Sequence, residues 1–112
     1  MKTVGGAIGG SVVLSDEADA LFLRTLTALF KKVSKDYKVF VIVGGGKIAR
    51  RYIQLGRELG FDEDTLDVIG IDVTRVNARI ITNLLGVSNK EIPRTTSEAL
   101  KFPFPIVVMG GT

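Results

Sequence analysis

The chain lacks the two side chains on which many nucleophilic enzymes and metal sites depend. None of its 112 residues is a cysteine or a histidine. Without cysteine the chain can form no disulfide, which is compatible with the reducing cytoplasm where we expect it. Without histidine, Ser-His-Asp and Cys-His mechanisms are excluded within these residues. Any chemistry must therefore rest on backbone amides, hydroxyls, carboxylates, lysines and arginines.

Long apolar runs and blocks of one charge are missing as well. No run approaches the roughly 18 residues of a membrane-spanning helix, and the glycine-rich N-terminus lacks a signal-peptide core. The net charge of +3 would suit an anionic partner, but basic residues alternate with acidic ones along the predicted helices. We therefore expect neither a membrane nor a nucleic acid as partner. With 46% hydrophobic residues, the chain can bury the core of one domain.

The most informative stretch is residues 39–52, where an apolar run is followed by glycines and then by a helical pattern. Residues 39–43 are mostly β-branched and have no polar face, which is typical of a strand buried in a parallel sheet. An apolar residue then recurs every three or four positions, as on one face of a helix that ends near Gly60: Ile48, Tyr52, Leu55 and Leu59.

The glycines between this strand and this helix favour an anion site. Gly44, Gly45 and Gly46 would let a ligand approach the free N–H groups at the positive end of the helix dipole. Lys47 and Arg50 lie in the first turn and add formal charge. The functional interpretation is a phosphate site. The alternative is a tight strand-to-helix turn with solvated cations.

A second glycine stretch follows the first predicted strand, residues 4–8. Gly5 and Gly6 weaken that strand, because glycine loses more conformational freedom and packs nothing. Gly9, Gly10 and Ser11 could point backbone N–H groups and a hydroxyl at phosphate oxygens. The spacing of a Walker loop is missing, and a flexible turn is the alternative.

A third glycine stretch follows a predicted strand at residues 106–109 and consists of Gly110, Gly111 and Thr112. Three strands separated by helices predict parallel β-α-β units, which place all three glycine loops at the carboxyl edge of one sheet. That convergence carries more weight than any single motif.

Two further helices are predicted from apolar periodicity. Residues 15–33 form one, followed later by a short helix at residues 96–101 whose first residues have capping-box spacing. The long helix should pack on the sheet through a broad apolar face: Leu21, Phe22, Leu26, Leu29, Phe30 and Val33.

Another long helix is predicted over residues 65–85, with Gly86 as its stop. Asp67 lies in its first turn, where it could stabilise the helix dipole or accept hydrogen bonds from ribose hydroxyls. Arg75, Asn77 and Arg79 lie off the apolar face and are expected at the solvated surface. The expected apolar face consists of Leu66, Ile69, Val73, Val76, Ile80 and Leu84.

Four motifs in this order resemble the amino acid kinase superfamily, and within it the archaeal type of uridylate (UMP) kinase. They are residues 8–11 (Ile-Gly-Gly-Ser), 43–50, 67–71 with 74–78, and 108–112. The resemblance implies a three-layer α/β/α sandwich with a mainly parallel sheet. It also implies transfer of the γ-phosphoryl group of MgATP to UMP in pyrimidine nucleotide biosynthesis, in a usually hexameric assembly.

The same resemblance implies the site residues. Gly9, Gly10 and Ser11 would be catalytic and hold the ATP phosphates, with Gly45 and Lys47 also assigned to the ATP cofactor. No metal ligand is assigned to the chain itself. UMP would be bound by Gly44, Gly45, Gly46, Arg50, Asp67, Gly110, Gly111 and Thr112.

Two departures from the family pattern matter. Gly5 and Gly6 stand where the family has a continuous apolar strand. Family members also continue into a C-terminal half that binds the adenine, so residues 1–112 resemble the N-terminal, UMP-binding half. We expect little turnover from this half alone, and an unpaired apolar edge at residues 106–109 that favours self-association.

Two alternative functions stay open at this point. One is a non-catalytic, self-associating fragment. The other is a related kinase that acts on a carboxylate, a carbamate or isopentenyl phosphate.

Overall fold

Strands and helices alternate along the chain. The computed structural model describes the backbone of residues 2–8, 17–86 and 88–111, and within these ranges the side chains from residue 20 onward. Every predicted element is present there, with bounds that differ by only a few residues. The elements are β1 (Lys2–Ile8), α1 (Glu17–Val33), β2 (Tyr37–Val43), α2 (Gly46–Glu58), α3 (Glu63–Leu85), α4 (Thr96–Leu100) and β3 (Ile106–Gly110).

The three strands form one parallel sheet in the order β1-β2-β3. Ile8 is in register with Val43, and Val43 is in register with Gly110, so the strands end at the same edge. Gly5 and Gly6 lie inside β1, paired with β2. Pairing with the neighbouring strand fixes the backbone where glycine supplies no packing. The predicted parallel sheet is therefore confirmed.

Apolar side chains cover both faces of this sheet. On one face α1 and α3 pack against alternate residues of β2 and β3, and the buried cluster comprises Leu23, Val39, Val41, Val43, Ala78, Ile81, Leu85, Ile92, Ile106 and Val108. On the other face Val107 and Met109 contact Ala99 of α4, with Phe40 and Phe102 beside them. The α/β fold class is confirmed, with α4 as the second helical layer within the described residues.

The face that α1 turns to the sheet differs from the predicted one. Leu23 and Thr27 are buried, and the Thr27 hydroxyl donates to the carbonyl of Leu23 at 2.8 Å. Leu21, Phe22 and Leu29 were expected to pack on the sheet, but they are 69%, 50% and 52% exposed. This helix is apolar over a wide angle, so spacing alone does not determine which side meets the sheet.

Helix α2 packs on α3 through small residues. Ala49 and Gly56 are buried, and a Cβ added at Gly56 would lie 2.5 Å from Cδ2 of Leu66. Close approach of the two backbones therefore depends on the missing side chain. The helical apolar stripe identified in the sequence is exposed: Ile48, Tyr52, Leu55 and Leu59.

The buried face of α3 also differs from the predicted one. Asn77 is completely buried and Arg75 is half-buried, whereas Val76 is 57% exposed. The expectation that Arg75 and Asn77 lie at the solvated surface is therefore wrong, although Arg79 is exposed as expected. The reason is that Asn77 and Arg75 find backbone carbonyl partners in neighbouring loops, which offsets the cost of burying their polar groups.

The ends of α3 and the start of α4 are formed by residues typical of helix caps. The carboxylate of Asp62 accepts a hydrogen bond from the Thr65 N–H at 2.8 Å at the start of α3. Hydrogen bonds from Thr65 hold the pKa of Asp62 below its ordinary value. Glu98 N–H donates to the Thr95 hydroxyl at the start of α4, as the capping box predicts. Gly86 ends α3 with φ of 72°.

The outer edge of β3 is not the unpaired edge that the sequence suggested. The side-chain amide of Asn89 pairs with Val108 like a neighbouring strand. It accepts from the Val108 N–H at 2.7 Å and donates to the Val108 carbonyl at 2.9 Å. Ser88 forms a bridge to Ile106 next to this pair. Self-association through this edge is therefore disfavoured.

Candidate functional site

A cleft of about 590 Å³ opens at the carboxyl edge of the sheet. The loops that leave β2 and β3 form one side, and α2 with the first half of α3 forms the rest. Four of the predicted site residues line this cleft. The lining comprises Gly44, Gly45, Ile53, Asp67, Gly70, Ile71, Thr74 and Gly111.

The N-terminus of α2 lies at this cleft without a cap. Gly45 is the N-cap residue, and no side chain of the described residues accepts a hydrogen bond from its first turn. Gly46 adopts φ of 63°, a conformation that glycine reaches without strain. The first turn contains no acidic residue. Its N–H groups and the positive end of the helix dipole are thus available to an anion.

The two cations of this turn lie beside the cleft and do not line it. Lys47 and Arg50 are both exposed. Their side chains can swing toward a bound anion, since neither is engaged in a salt bridge with the described residues. Among the described residues that line the cleft, Asp67 on α3 is the only formally charged one. The arrangement places an acceptor of hydroxyl hydrogen bonds opposite a group of amide donors.

Two glycines are required by the packing behind the cleft. A Cβ at Gly45 would lie 2.5 Å from the Cβ of Ala49. A Cβ at Gly110 would collide with the hydroxyl of Thr74 and lie 3.1 Å from the backbone N of Arg75. A Cβ added at Gly111, by contrast, would meet its nearest described neighbour, the carbonyl oxygen of Val43, at 3.7 Å. The loop after β2 and the last residue of β3 therefore each provide a position where only glycine fits beside a helix.

One turn of α3 binds the loops around the cleft. The Thr74 hydroxyl lies 3.0 Å from the carbonyl of Gly111, and the Asn77 amide donates to the carbonyl of Gly44 at 2.8 Å. Arg75 donates to the carbonyls of Ile92 and Pro93 at 2.9 and 3.1 Å. Sequence reasoning assigned no role in the site to these side chains.

The signals available for them were the family motif at residues 74–78 and a polar residue every three or four positions within an apolar helix. Asn77 was assigned instead to the surface. Ile53 was missed because an apolar residue within a helix carries no sequence mark of a cleft. Gly70 lies in the family motif at residues 67–71 but was given no role.

The remaining predicted residues fall into two groups. Gly46 and Gly110 flank the lining residues, in the first turn of α2 and at the end of β3. Gly9, Gly10, Ser11 and Thr112 lie outside the described residues. The register of Ile8 with Val43 brings the end of β1 to the same edge of the sheet.

The family comparison covers most of the chain. A model of the amino acid kinase family matches residues 7–108. This range includes the last two residues of β1, all of β2 and the four helices, and β3 as far as Val108.

Relatives of known name match nearly the full length of the chain. Uridylate kinase of Methanobrevibacter smithii is 42% identical over 109 residues, which cover 95% of this chain and 48% of the relative. Uridylate kinase of Methanothermobacter thermautotrophicus is 44% identical over 108 residues, covering 94% of this chain and 48% of the relative. The chain thus spans about half the length of these curated relatives.

Solved structures show the same fold. The crystal structure of uridylate kinase from Archaeoglobus fulgidus superposes with a TM-score of 0.86 at 39% identity, covering 100% of this chain and 51% of that chain. UMP kinase from Ureaplasma parvum superposes with a TM-score of 0.71 at 21% identity, covering 98% of this chain and 55% of that chain. At that lower identity the likeness supports the fold alone.

Proposed function

The chain belongs to the amino acid kinase family, and from that membership we propose that residues 1–112 are the N-terminal, UMP-binding half of a uridylate kinase. Such an enzyme transfers the γ-phosphoryl group of ATP to UMP and serves pyrimidine nucleotide biosynthesis, which we place in the cytoplasm. The observation that carries the proposal is the uncapped N-terminus of α2, which shares one cleft with Asp67 and Gly111. The similarity to proteins named uridylate kinase supports the choice of substrate.

In this proposal the UMP phosphate binds at the start of α2. The N–H groups of Gly45 and Gly46 donate to phosphate oxygens, and Gly44 leaves room for their approach. Arg50 adds a planar fork that can pair two oxygens at once. Its exposed position on the first turns of the helix allows it to reach an anion bound at the helix end.

The nucleoside then extends across the cleft. Asp67 accepts hydrogen bonds from the ribose hydroxyls, which matches its position among the lining residues. Gly110, Gly111 and Thr112 begin the loop beside the uracil. The distance between the loop that follows β2 and the loop that follows β3 therefore determines whether the phosphate and the base of UMP can be bound together.

The phosphoryl donor would be ATP, held by Gly9, Gly10 and Ser11 with help from Gly45 and Lys47. Magnesium, which prefers oxygen ligands such as phosphates, would neutralise charge on the transferring group. Phosphoryl transfer depends mainly on positioning and electrostatic stabilisation, so backbone amides and cations suffice without histidine or cysteine. This explains why the composition does not argue against a kinase.

We expect these 112 residues alone to give only background UDP formation. Transfer requires both nucleotides in line, with reacting atoms about 3–3.5 Å apart, and the chain spans about half of its relatives. A coupled assay of ADP formation with UMP and MgATP, run beside a full-length relative, measures this. Turnover of about 1 per second or more would contradict the expectation, because that rate is ordinary for kinases.

Titration of UMP into this chain tests the site directly. Asp67→Asn should weaken UMP binding about tenfold, the loss expected for one hydrogen bond to a charged group. The same variant should bind the UMP analogue that lacks both ribose hydroxyls as well as the unchanged chain does. Asp72→Asn is the matched control, since Asp72 is exposed on the same helix outside the cleft and loses the same charge.

Two results would overturn the assignment. Equal losses for Asp67→Asn and Asp72→Asn would remove Asp67 from the site. Tighter binding of isopentenyl phosphate, carbamate or acetylglutamate than of UMP would favour one of the related kinases.

Self-association is the second part of the proposal. Leu21 and Phe22 on α1 and Tyr52 and Leu55 on α2 are at least half exposed. Exposed apolar faces of this kind mark interaction surfaces, and we propose that further copies of the chain cover them. Light scattering should give a dimer or a larger species, and Tyr52→Lys should reduce its size. A monomer for the unchanged chain would contradict this part.

A further inference from the structure

A single turn of α3 contacts both glycine loops of the cleft. The Asn77 amide donates to the carbonyl of Gly44 at 2.8 Å and approaches that of Gly45 at 3.5 Å. Three residues earlier, the Thr74 hydroxyl lies 3.0 Å from the carbonyl of Gly111. The loops that leave β2 and β3 are therefore both attached to one rigid element.

We propose that Thr74 and Asn77 are positioning residues that fix the gap between these two loops, and so set the affinity for a ligand that spans it. The identity of that ligand, UMP, rests on the proposed function. The attachment of the two loops to α3 does not depend on the proposed function.

Asn77 is committed to this attachment by its burial. Its side chain is 0% exposed, and its Oδ1 accepts no hydrogen bond from the described residues. The other end of the amide faces the carbonyl oxygens of Gly44 and Gly45. Only the NH₂ group can donate to them, so the orientation of the side chain is fixed. An amide buried with one atom unpartnered is costly. We attribute the burial of Asn77 to the hydrogen bond with which it fixes the loop at Gly44.

Thr74 holds its loop less firmly. The hydroxyl has one proton and two carbonyls within reach, that of Gly111 and that of Ile71 at 2.7 Å in its own helix. It must share the proton or alternate between the two acceptors. The β3 loop therefore has a hydrogen bond that opens more easily than the one at Gly44, and its position should respond more readily to a bound ligand.

Amide hydrogen exchange of the chain without ligand tests the attachment. The Gly111 N–H bonds to the carbonyl of Val43 at 2.9 Å, and the Ala49 N–H bonds to that of Gly45 at 3.4 Å. Each amide reports on one loop. The Val39 N–H, which bonds to the carbonyl of Pro105 at 2.9 Å, serves as the reference at the opposite edge of the sheet.

Thr74→Val removes the hydroxyl and keeps the shape. It should speed exchange at Gly111 about tenfold relative to Val39, the effect of one lost hydrogen bond, and leave Ala49 unchanged. Thr74→Ser keeps the hydroxyl and should restore the original rate. Asn77→Ala should instead speed exchange at Ala49.

Val73→Ala is the control for a general loss of stability. Val73 is buried on the same helix and has no polar side-chain group to offer the loops. This variant should speed exchange at Gly111, Ala49 and Val39 in parallel. If Thr74→Val and Asn77→Ala behave in the same parallel way, the attachment is only structural and the inference is wrong.

Ligand titration separates one loop from the other. Inorganic phosphate needs only the start of α2, whereas UMP must span both loops. Thr74→Val should therefore weaken UMP binding about tenfold and change phosphate binding by less than about twofold. Asn77→Ala should weaken the binding of both ligands.

The outcomes distinguish this inference from the proposed function. If the unchanged chain binds phosphate but not UMP, the proposed function fails, and the exchange rates still decide whether the loops are attached. If exchange changes as expected while UMP affinity does not, the role of Thr74 and Asn77 in affinity is overturned.

Discussion

The two consecutive helices α2 and α3 begin in opposite ways. Helix α3 starts with Asp62, whose carboxylate caps the N–H of Thr65, and Glu63 adds a favourable charge in the first turn. Helix α2 starts with Gly45, which offers no side-chain cap and no acidic first turn. One helix satisfies its own N-terminus, and the other leaves its N–H groups available.

The difference separates stability from ligand binding. A capped N-terminus is stable by itself but has no free donors for an anion. An uncapped one needs support from elsewhere, and α2 receives it from α3, through the Asn77 bond to Gly44 and the close packing of Gly56 against Leu66. The stable helix thus supports the open one, and changes at the two helix starts should have different consequences.

Substitution of Gly110 should have the largest effect on stability, because it disturbs the packing of the end of β3 on α3. A Cβ at Gly110 would lie 3.1 Å from backbone atoms of Thr74 and Arg75, which cannot move without shifting α3. Gly110→Ala should lower the free energy of unfolding by about 2–3 kcal/mol, measured by urea denaturation. Gly111→Ala is the control, since a Cβ added there would lie 3.7 Å from its nearest described neighbour. Equal losses for the two variants would show that α3 does not restrict this loop.

Removal of a cation from the open helix start should change binding without changing stability. Arg50→Ala should weaken UMP binding about tenfold, more than Lys47→Ala, because arginine can pair two phosphate oxygens. Arg51→Ala is the matched control, with the same loss of charge one residue further along the helix. All three side chains are exposed, so the melting temperature should stay within about a degree or two. A loss for Lys47→Ala equal to that for Arg50→Ala would contradict the assignment.

A change at the capped helix start should give the smallest effect and should depend on pH. The pKa of Asp62 is lowered from 3.8 by its hydrogen bonds with Thr65, so the ionised carboxylate stabilises the folded chain above that pH. This contribution is lost as the pH falls through the folded-state pKa. Asp62→Asn keeps a capping oxygen but no charge.

Melting curves of the two proteins between pH 7 and pH 2.5 measure this contribution. The unchanged chain should melt slightly higher at neutral pH, and the gap should close in acid. UMP affinity at neutral pH should be the same for both. A gap that widens in acid would show that the charge of Asp62 does not stabilise the start of α3.

Much of the candidate site could be predicted from the sequence, because its position follows from local patterns. A β-branched run followed by glycines predicts where a buried strand ends, and parallel strands bring such ends to one edge. Gly44, Gly45 and Gly111 line the cleft for that reason. Asp67 lines it too; its first-turn position left a dipole role and a ribose role open, and the family resemblance assigned it to UMP.

The sequence by itself determined the type, order and approximate bounds of the described elements, since these depend on periodicity, caps and glycine positions within a few residues of each other. Which face of each helix is buried was decided only by the tertiary structure. Leu21 and Phe22 are as apolar as Leu23, and nothing local distinguishes them. Asn77 is polar, yet it is buried because a loop distant in sequence places two carbonyls against it. Burial of a polar group depends on partners that sequence spacing cannot supply.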